Sequence, residues 1–230
     1  MFHLIVKGGW LSPRRYSSSL RSEQTAAGRR RILDAAGALF REHGYLGTTI
    51  AQIAAAAGVS TQSVYNMAGG KAELLKAVYD VAVAGDDEPV PMAERPAIQA
   101  MLAAPDPRQA LALYARLGRE IAQRTHRLVT VILAQAATGD AALTEFAAQI
   151  EAQRAIGTAA TARHLAGRFG LRTGLSEQAA ADILWTLTAP DIVERLITQR
   201  NWPWDTYERW LADAMASSLL PPDPKAALRP

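Results

Sequence analysis

Apolar residues recur every three or four positions along three stretches in the first third of the chain. The stretches run over residues 32–40, 50–57 and 74–82. Because an α-helix has about 3.6 residues per turn, this spacing places the apolar side chains on one face and predicts three amphipathic helices. Between the second and third stretches, residues 61–66 predict a further short helix with a polar face. The pattern therefore predicts a compact helical unit over residues 25–85.

A tight turn separates the second predicted helix from the polar one. Gly58 lies where the chain must turn sharply, and glycine adopts a positive φ without steric cost. Val59 can fill the angle between the helices, and Ser60 can cap the next helix by accepting a backbone hydrogen bond. Such pairs also occur in helical proteins that never bind DNA. A polar, non-acidic face suited to base edges and phosphates is formed by Thr61, Gln62, Ser63, Tyr65 and Asn66.

The order of residues in this unit resembles the amino-terminal domain of the tetracycline-repressor (TetR) family of transcriptional regulators. A basic run, Arg29–Arg31, precedes the first apolar stretch, and Lys71 opens the last one. One position departs from the family, which usually has a bulky apolar residue where this chain has Ala68. The matching residues are Ile32–Ala36, Leu39, Phe40, Gly44, Tyr45, Thr48, Thr49, Ile53, Ala54, Ala57–Ser60, Val64, Tyr65, Lys71, Leu74 and Leu75.

The resemblance implies an all-α regulator that binds double-stranded DNA through this unit. The short polar helix would enter the major groove by its N-terminal end, so Thr61, Gln62 and Ser63 would read base edges. Gln62 could bind adenine through two hydrogen bonds. A threonine at the start of the second helix would hold a phosphate by its hydroxyl and backbone N–H. The other predicted DNA contacts are Thr48, Thr49, Tyr65, Asn66, Lys71, Arg29 and Arg30.

Residues 85–91 are acidic and rich in proline, and they mark the predicted junction between two domains, with the helix before them as connector. The segments 1–24 and 221–230 are predicted to be disordered tails, the first of them basic, and Met1 need not be the true start. Pro190 should kink or split the helix that contains it. A larger helical domain over residues 95–220 is predicted from helical patterns at about 95–104, 107–124, 126–137, 140–170, 176–199 and 204–220.

The last two long helices are predicted to form a dimer interface. The resemblance continues through Trp185–Leu220, and in the family these helices pack against their copies in a second subunit. The alternative is that they close the core of their own domain. A homodimer would let two recognition helices read a palindromic operator. The interface candidates are Leu184, Ile192, Leu196, Tyr207, Trp210, Leu211, Met215 and Leu219.

The resemblance also implies a pocket for a small-molecule effector between residues 95 and 190. Its candidate residues are mostly apolar, which suits a hydrophobic or aromatic molecule. Effector binding would move the connector helix and spread the recognition helices, releasing the operator, although an effector that tightens DNA binding is equally allowed. The pocket candidates are Met101, Leu113, Tyr114, Leu117, His126, Phe146 and Trp185.

Charge supports the placement of the DNA-binding unit. Residues 1–80 carry ten Lys and Arg and five Asp and Glu, a net charge of +5, whereas the remainder of the chain carries −2. The chain has no cysteine and four histidines, so no metal or other cofactor is predicted. The sequence contains no run of about 18 apolar residues, so no membrane partner is predicted. The expected location is cytoplasmic.

Two other classes of function remain open. An enzyme would need a catalytic motif, and the sequence contains no G-x-S-x-G, no H-E-x-x-H and no phosphate loop. No catalytic residue is therefore predicted. The third interpretation is a helical interaction protein that does not bind DNA, and Ala68 gives it some support. DNA binding would distinguish the regulator from both.

Overall fold

The computed structural model describes residues 14–222, which form helices joined by turns and loops and contain no β-strand. The all-α fold predicted from the sequence is confirmed. The N-terminal unit comprises α1 (Arg14–Gly47), α2 (Ile50–Ala57), α3 (Thr61–Ala68) and α4 (Lys71–Ala84). A short 3-10 turn (Met92–Glu94) comes next. The larger domain then comprises α5 (Pro96–Ala103), α6 (Pro107–Ala136), α7 (Ala141–Arg168), α8 (Glu177–Leu187), α9 (Pro190–Val193) and α10 (Trp204–Leu219). A π-helical segment (Glu194–Gln199) continues α9.

The first helix begins earlier than predicted. It starts at Arg14, so the prediction that residues 14–24 are disordered is wrong, while residues 1–13 and 223–230 lie outside the described part. Extending a helix costs far less than starting one, and Arg, Leu, Gln and Ala in this segment favour the helix. At the other end Gly44 has φ 71° and ψ 178°, so helical geometry stops where the sequence predicts.

Two predictions about helix breaks have different outcomes. Pro190 separates α8 from α9, as predicted, because a proline removes a helix hydrogen bond and its ring clashes with the preceding turn. The break predicted near residue 125 is wrong, since α6 continues to Ala136. Thr125 is buried there, and its hydroxyl donates to the carbonyl oxygen of Ile121 at 2.9 Å, so the helix itself satisfies this polar group.

The hydrophobic core divides across α6 and α7 rather than at the predicted domain junction. The first core joins the N-terminal unit to one end of α6 and α7: Tyr79 of α4 packs edge-on against Phe146 of α7, with ring centres 5.6 Å apart. The second core lies at the other end of α6 and α7 and includes α5, α8 and α10. The connector helix α4 is therefore buried on one side against the larger domain. No helix in the described part is long and apolar enough to cross a membrane.

Two arginines hold the carboxyl end of α4. Arg124 of α6 donates from Nε to the carbonyl oxygen of Ala82 (2.7 Å) and from Nη2 to that of Val83 (3.1 Å). Arg95 donates to the carbonyl oxygen of Ala84 at 3.0 Å. The last carbonyls of a helix have no partner within the helix, and cations favour its negative end, so both contacts stabilise this terminus. They also tie α4 to the larger domain.

Candidate nucleic-acid interface

The pair α2 and α3 forms because each helix has a local cap. The Thr49 hydroxyl accepts a hydrogen bond from the N–H of Gln52 (3.2 Å), and the Gln52 side chain accepts one from the N–H of Thr49 (2.8 Å). Gly58 ends α2 in the left-handed region, with φ 66° and ψ 39°. Ser60 Oγ then accepts from the N–H of Ser63 at 3.1 Å and starts α3. These caps fix the turn between the two helices.

The polar face of α3 lies open to solvent. Val64 has no exposed surface and anchors the helix, whereas Thr61, Gln62 and Asn66 are exposed. Gln62 Nε2 donates to Asn66 Oδ1 at 3.0 Å, and because an amide nitrogen carries two hydrogens, one remains for a base edge. Tyr65 is 54 % exposed, so its ring is not packed into the core. The face has the chemistry that the sequence predicts for a reader of DNA.

Three predicted DNA contacts have hydroxyls that are hydrogen-bonded inside the protein. Thr48 has no exposed surface, and its hydroxyl donates to the carbonyl oxygen of Gly44 at 2.8 Å and lies 3.2 Å from that of Leu39. The prediction that Thr48 contacts a phosphate is therefore wrong, because its hydroxyl has no route to solvent. The Thr49 hydroxyl donates to Gln52 Oε1 at 2.9 Å, but Thr49 is exposed and remains a candidate. The Ser63 hydroxyl lies 2.8 Å from that of Ser60, so it is shared with the cap of α3.

Lys71 lies at the first position of α4, beside α3, which is the predicted recognition helix. Its ammonium group stands 4.2 Å from the centre of the Tyr45 ring, which fixes the side chain by a cation–π contact. Burial lowers the pKa of Lys71 from its ordinary value, and the nearby Asp140 carboxylate opposes that shift. A phosphate at this place would compensate for the lost solvation of the ammonium group. The geometry supports the predicted phosphate contact.

Arg29 supports the recognition helix from inside the protein. Its Nη1 donates to the carbonyl oxygen of Met67, in the last turn of α3, at 3.3 Å. Arg29 is half-buried and positions α3 through this bond, and its contact with DNA stays a prediction, as does that of Arg30, which is exposed. Met67 packs on α1, since its Sδ lies 3.3 Å from where a Cβ on Gly28 would be. These two contacts were not predicted from the sequence.

We expect Arg29→Met to destabilise the protein by about 1 kcal/mol, the typical net value of one hydrogen bond. DNA affinity should fall for all sequences alike, with no change in its salt dependence, because no phosphate contact is lost. Arg30→Met is the matched control: it should reduce the salt dependence and leave the free energy of unfolding unchanged. Urea unfolding and DNA titrations at several salt concentrations measure both quantities. An equal loss of salt dependence in the two variants would contradict the positioning role.

The turn after α3 consists of two glycines. Gly69 has φ +78°, and a Cβ there would lie 3.0 Å from Cβ of Glu73, so no larger residue fits without displacing that side chain. Ala68, the position that departs from the family, packs partly against the first core together with Met67. The recognition helix is thus braced by neighbours of position 68 rather than by a bulky residue at it.

The N-terminal unit matches a known protein family. Residues 32–78 match the family model of bacterial regulatory proteins of the tetR family, a range that includes the end of α1, all of α2 and α3, and the first part of α4. The resemblance of this unit to the TetR family, predicted from the sequence, is confirmed over this range. TetR-family regulators are DNA-binding transcription factors and not enzymes, so the predicted class of regulator is confirmed. No curated protein matches the chain in sequence.

Several solved structures share the fold of this protein over most of its chain. SmeT in complex with triclosan is 20% identical, with a TM-score of 0.66 and coverage of 85% of this chain and 93% of that one. The fatty acid degradation regulator FadR from Bacillus halodurans is 15% identical (TM-score 0.64; 81% and 93% covered). The TetR-family regulator PfmR from Thermus thermophilus is 18% identical (TM-score 0.58; 82% and 98% covered). At these identities the likeness shows the fold.

The seven predicted pocket residues do not surround one cavity. Met101, Leu113 and Tyr114 belong to the second core or pack against it, whereas Phe146 lies in the first core against Tyr79. The prediction that Phe146 lines the same pocket as Met101 is therefore wrong, because the core divides between them. Of the other three, Leu117 is buried, His126 faces the Trp204 ring with centres 6.4 Å apart, and Trp185 is 38 % exposed.

Arg154 lies between the two cores, and the sequence analysis did not predict its burial there. It donates to the carbonyl oxygen of Trp185 at 2.6 Å, lies 5.2 Å from the Trp185 ring centre, and pairs with Glu151. Burial raises the pKa of Tyr79 and of Tyr207 to about 12, and the positive charge of Arg154 opposes both shifts. Arg154 is thus a largely buried cation with tyrosines of both cores nearby.

Most of the predicted dimer residues lie inside the subunit. Residues without exposed surface cannot contact a partner, so their assignment to the interface is wrong and they form the second core instead. Ile192, Leu196 and Trp210 are half-buried and also pack against that core. The buried ones, each at most 1 % exposed, are Leu184, Tyr207, Leu211, Met215 and Leu219.

Large apolar side chains are exposed on α7 and on α8. Ile156, in the middle of α7, is 71 % exposed, and Trp185 of α8 is 38 % exposed. Along α7 they are accompanied by exposed alanines at helical spacing, and small residues of this kind allow two helices to approach closely. We name this surface the α7–α8 face; its alanines are Ala148, Ala152, Ala155 and Ala160.

Proposed function

We propose that this TetR-family regulator is a repressor that binds a palindromic operator as a homodimer and leaves it when a small hydrophobic or aromatic effector binds. The observation that carries the proposal is the exposed face of α3, in which Gln62 and Asn66 are neutral, polar and already hydrogen-bonded to each other. Such a preorganised amide pair is suited to adenine in the major groove. Tyr65 and Lys71 flank it at positions suited to phosphates.

The N-terminus of α2 adds a further phosphate site. The first N–H groups of a helix have no partner within it and carry a partial positive charge, so they attract anions. Thr49 caps this terminus and is exposed, and its hydroxyl would exchange its bond to Gln52 Oε1 for one to a phosphate oxygen. With Arg30 and Lys71, this arrangement would hold the duplex backbone on both sides of α3. Phosphate contacts of this kind fix register, and α3 supplies base preference.

The homodimer is proposed to form through the α7–α8 face. Ile156 and Trp185 are large and apolar, and an exposed apolar surface flanked by small residues is typical of a protein interface. A two-fold axis through α7 would bring two copies of the surface together and relate the two α3 helices by the symmetry of a palindromic operator. The dimer predicted from the sequence is thereby kept, with its surface moved from α10 to α7.

The effector is proposed to bind in the second core, between α6, α7 and α10. Aromatic rings meet there: Trp204 packs edge-on against Tyr207 with centres 6.0 Å apart, and His126 faces Trp204. Tyr114 provides a hydroxyl whose pKa is raised by burial, an effect that the nearby Thr161 side chain opposes. Rings with a few polar groups suit an aromatic ligand. SmeT, a protein of the same fold, was solved with triclosan, which is a small aromatic molecule.

Coupling between effector and operator would pass through α4. Arg124 ties the carboxyl end of α4 to α6, and Tyr79 ties its middle to Phe146 of α7. Lys71, at the amino end of the same helix, lies beside the recognition helix. A shift of α6 or α7 on ligand binding would therefore move α4 and change the separation of the two α3 helices. Release requires that the effector bind the shifted state more tightly.

The test is to select binding sequences from a randomised duplex pool with the purified protein. We expect a palindromic motif whose half-sites lie about one helical turn apart. Gln62→Ala should then relax preference at one base pair per half-site, by about 1–3 kcal/mol. Tyr65→Phe and Lys71→Ala should instead weaken binding to all sequences alike. A pool that stays unenriched at low salt would favour the interaction protein, and unchanged base preference in Gln62→Ala would remove the assignment of that residue.

A further inference from the structure

A cleft of about 430 Å³ lies between α1, α4 and α6, where the N-terminal unit meets the larger domain. We name it the junction cleft. Its walls include the apolar side chains of Leu33, Val78 and Val81. Small-molecule sites usually measure about 300–1,000 Å³ and combine an apolar lining with a few polar groups. The junction cleft is of this size and lies apart from the second core, where the effector is proposed to bind.

One free cation borders the cleft from α1. Arg41 is exposed and makes no hydrogen bond or ion pair with the residues that the structure describes. Its guanidinium lies back along α1 over Gly37, where a Cβ would be 3.2 Å from Arg41 Nη1 and also 3.2 Å from Cγ1 of Val78. The missing side chain at Gly37 thus lets the guanidinium and the apolar wall of α4 lie close together. A ligand in the cleft could touch both.

A second cation faces the cleft from α6 and is fixed in place. Arg124 uses Nε and Nη2 to hold the carbonyl oxygens of Ala82 and Val83. A guanidinium has five N–H donors, so further donors remain for a ligand. Gln123, exposed beside it, adds an amide. Because Arg124 is already ordered by α4, binding an anion there costs little side-chain entropy.

We propose that the junction cleft is a second small-molecule site, specific for a monocarboxylate with an apolar body. Two arginines against one carboxylate, Asp34, leave the lining with an excess of positive charge. A planar carboxylate matches the guanidinium fork, and the apolar body would cover Val78 and Val81. Asp34 would repel a second negative group, so a dicarboxylate is disfavoured. A ligand here would contact α1, α4 and α6 together.

A ligand in this cleft would fix the N-terminal unit relative to α6. If the two states of the regulator differ in the separation of α1 from α6, the ligand favours the state whose cleft fits it and changes operator affinity accordingly. This consequence rests on the proposed function. The binding itself does not, and it is measured without DNA.

The experiment is a titration of the full chain with 1-naphthoate, followed by methyl NMR, with 1-naphthamide as the neutral isostere. We expect the acid to bind about tenfold more tightly than the amide, because charge-assisted hydrogen bonds are gained. The methyl signals of Val78 and Val81 should shift. Arg41→Gln should lower the affinity for the acid several-fold, towards that for the amide, because only Arg124 then remains to bind the carboxylate, and it should leave the affinity for the amide unchanged. Arg108→Gln, an exposed arginine about 24 Å along α6 from Arg124, is the matched control.

Three results would overturn the proposal. The first is equal affinity for acid and amide, or an affinity for the acid that Arg41→Gln leaves unchanged. The second is a set of shifts confined to methyl groups of the second core, such as those of Leu111 and Leu165, which would place the probe there only. The third is an absence of binding at millimolar probe. Each of these leaves operator selection untouched, so failure of this site and failure of the proposed function are distinguishable.

Discussion

Ile156→Glu is expected to convert the proposed dimer into monomers and to lower operator affinity by a factor of about 100 or more, the advantage that a second linked half-site provides. Ile156 is 71 % exposed in the middle of the α7–α8 face. Across a two-fold axis the two new carboxylates would lie near each other in a surface that the dimer shields from water. Such buried like charges are strongly unfavourable. The fold of each subunit should be unaffected because the side chain points to solvent.

Sedimentation equilibrium and titration with a palindromic duplex measure the two effects. Val90→Glu is the control, because Val90 is another exposed large apolar residue, 43 % accessible, and lies outside the α7–α8 face. The control should remain a dimer with unchanged operator affinity. A dimeric Ile156→Glu variant of normal affinity would show that the subunits meet elsewhere. Circular dichroism of both variants should match that of the parent protein.

The helix–turn–helix could be predicted because its determinants are local. Gly58, Ser60 and Thr49 act on backbone groups within a few residues, so their chemistry can be inferred from neighbours in the sequence. The same holds for Pro190, whose effect on a helix does not depend on the rest of the fold. Elements of this kind are determined before any tertiary contact is known.

Side-chain direction in the same unit could not be predicted. Thr48 and Thr49 are adjacent and identical in type, yet Thr48 points to the carbonyl oxygens of Gly44 and Leu39 while Thr49 points outward. Arg29 is one of three consecutive arginines, and only the packing of α1 on α3 decides that it meets Met67. A run of equal residues gives no signal for which of them is internal.

The buried residues of α10 were predicted to lie in an interface because helical spacing indicates that a face is buried but not what covers it. The apolar face of α10 is buried, as its pattern predicts, but against α6 and α8 of the same subunit. The α7–α8 face gives a weak signal because alanine is common on surfaces and in cores alike. Arg154 within α7 would ordinarily be expected in solvent, and its burial beside Trp185 follows only from the packing of α7 on α8.

Leu211→Ala is expected to lower the free energy of unfolding by about 2–5 kcal/mol, the cost of a buried leucine truncated to alanine. Leu211 has no exposed surface, and its Cδ2 lies only 3.6 Å from where a Cβ on Gly118 would be, so α10 and α6 are in close contact there. The two helices cannot approach further to fill the space. The variant should therefore keep a cavity and lose stability within the subunit.

Urea unfolding at several protein concentrations separates this effect from dimerisation. A loss inside the subunit lowers the unfolding midpoint by the same amount at every concentration, whereas a weakened interface makes the midpoint depend differently on concentration. Asp213→Ala, at an exposed position of the same helix, should stay within about 0.5 kcal/mol of the parent. If Leu211→Ala instead dissociated the dimer without destabilising the subunit, α10 would be an interface helix. The structure favours the first result, because a side chain enclosed by its own subunit has no surface left to offer a second one.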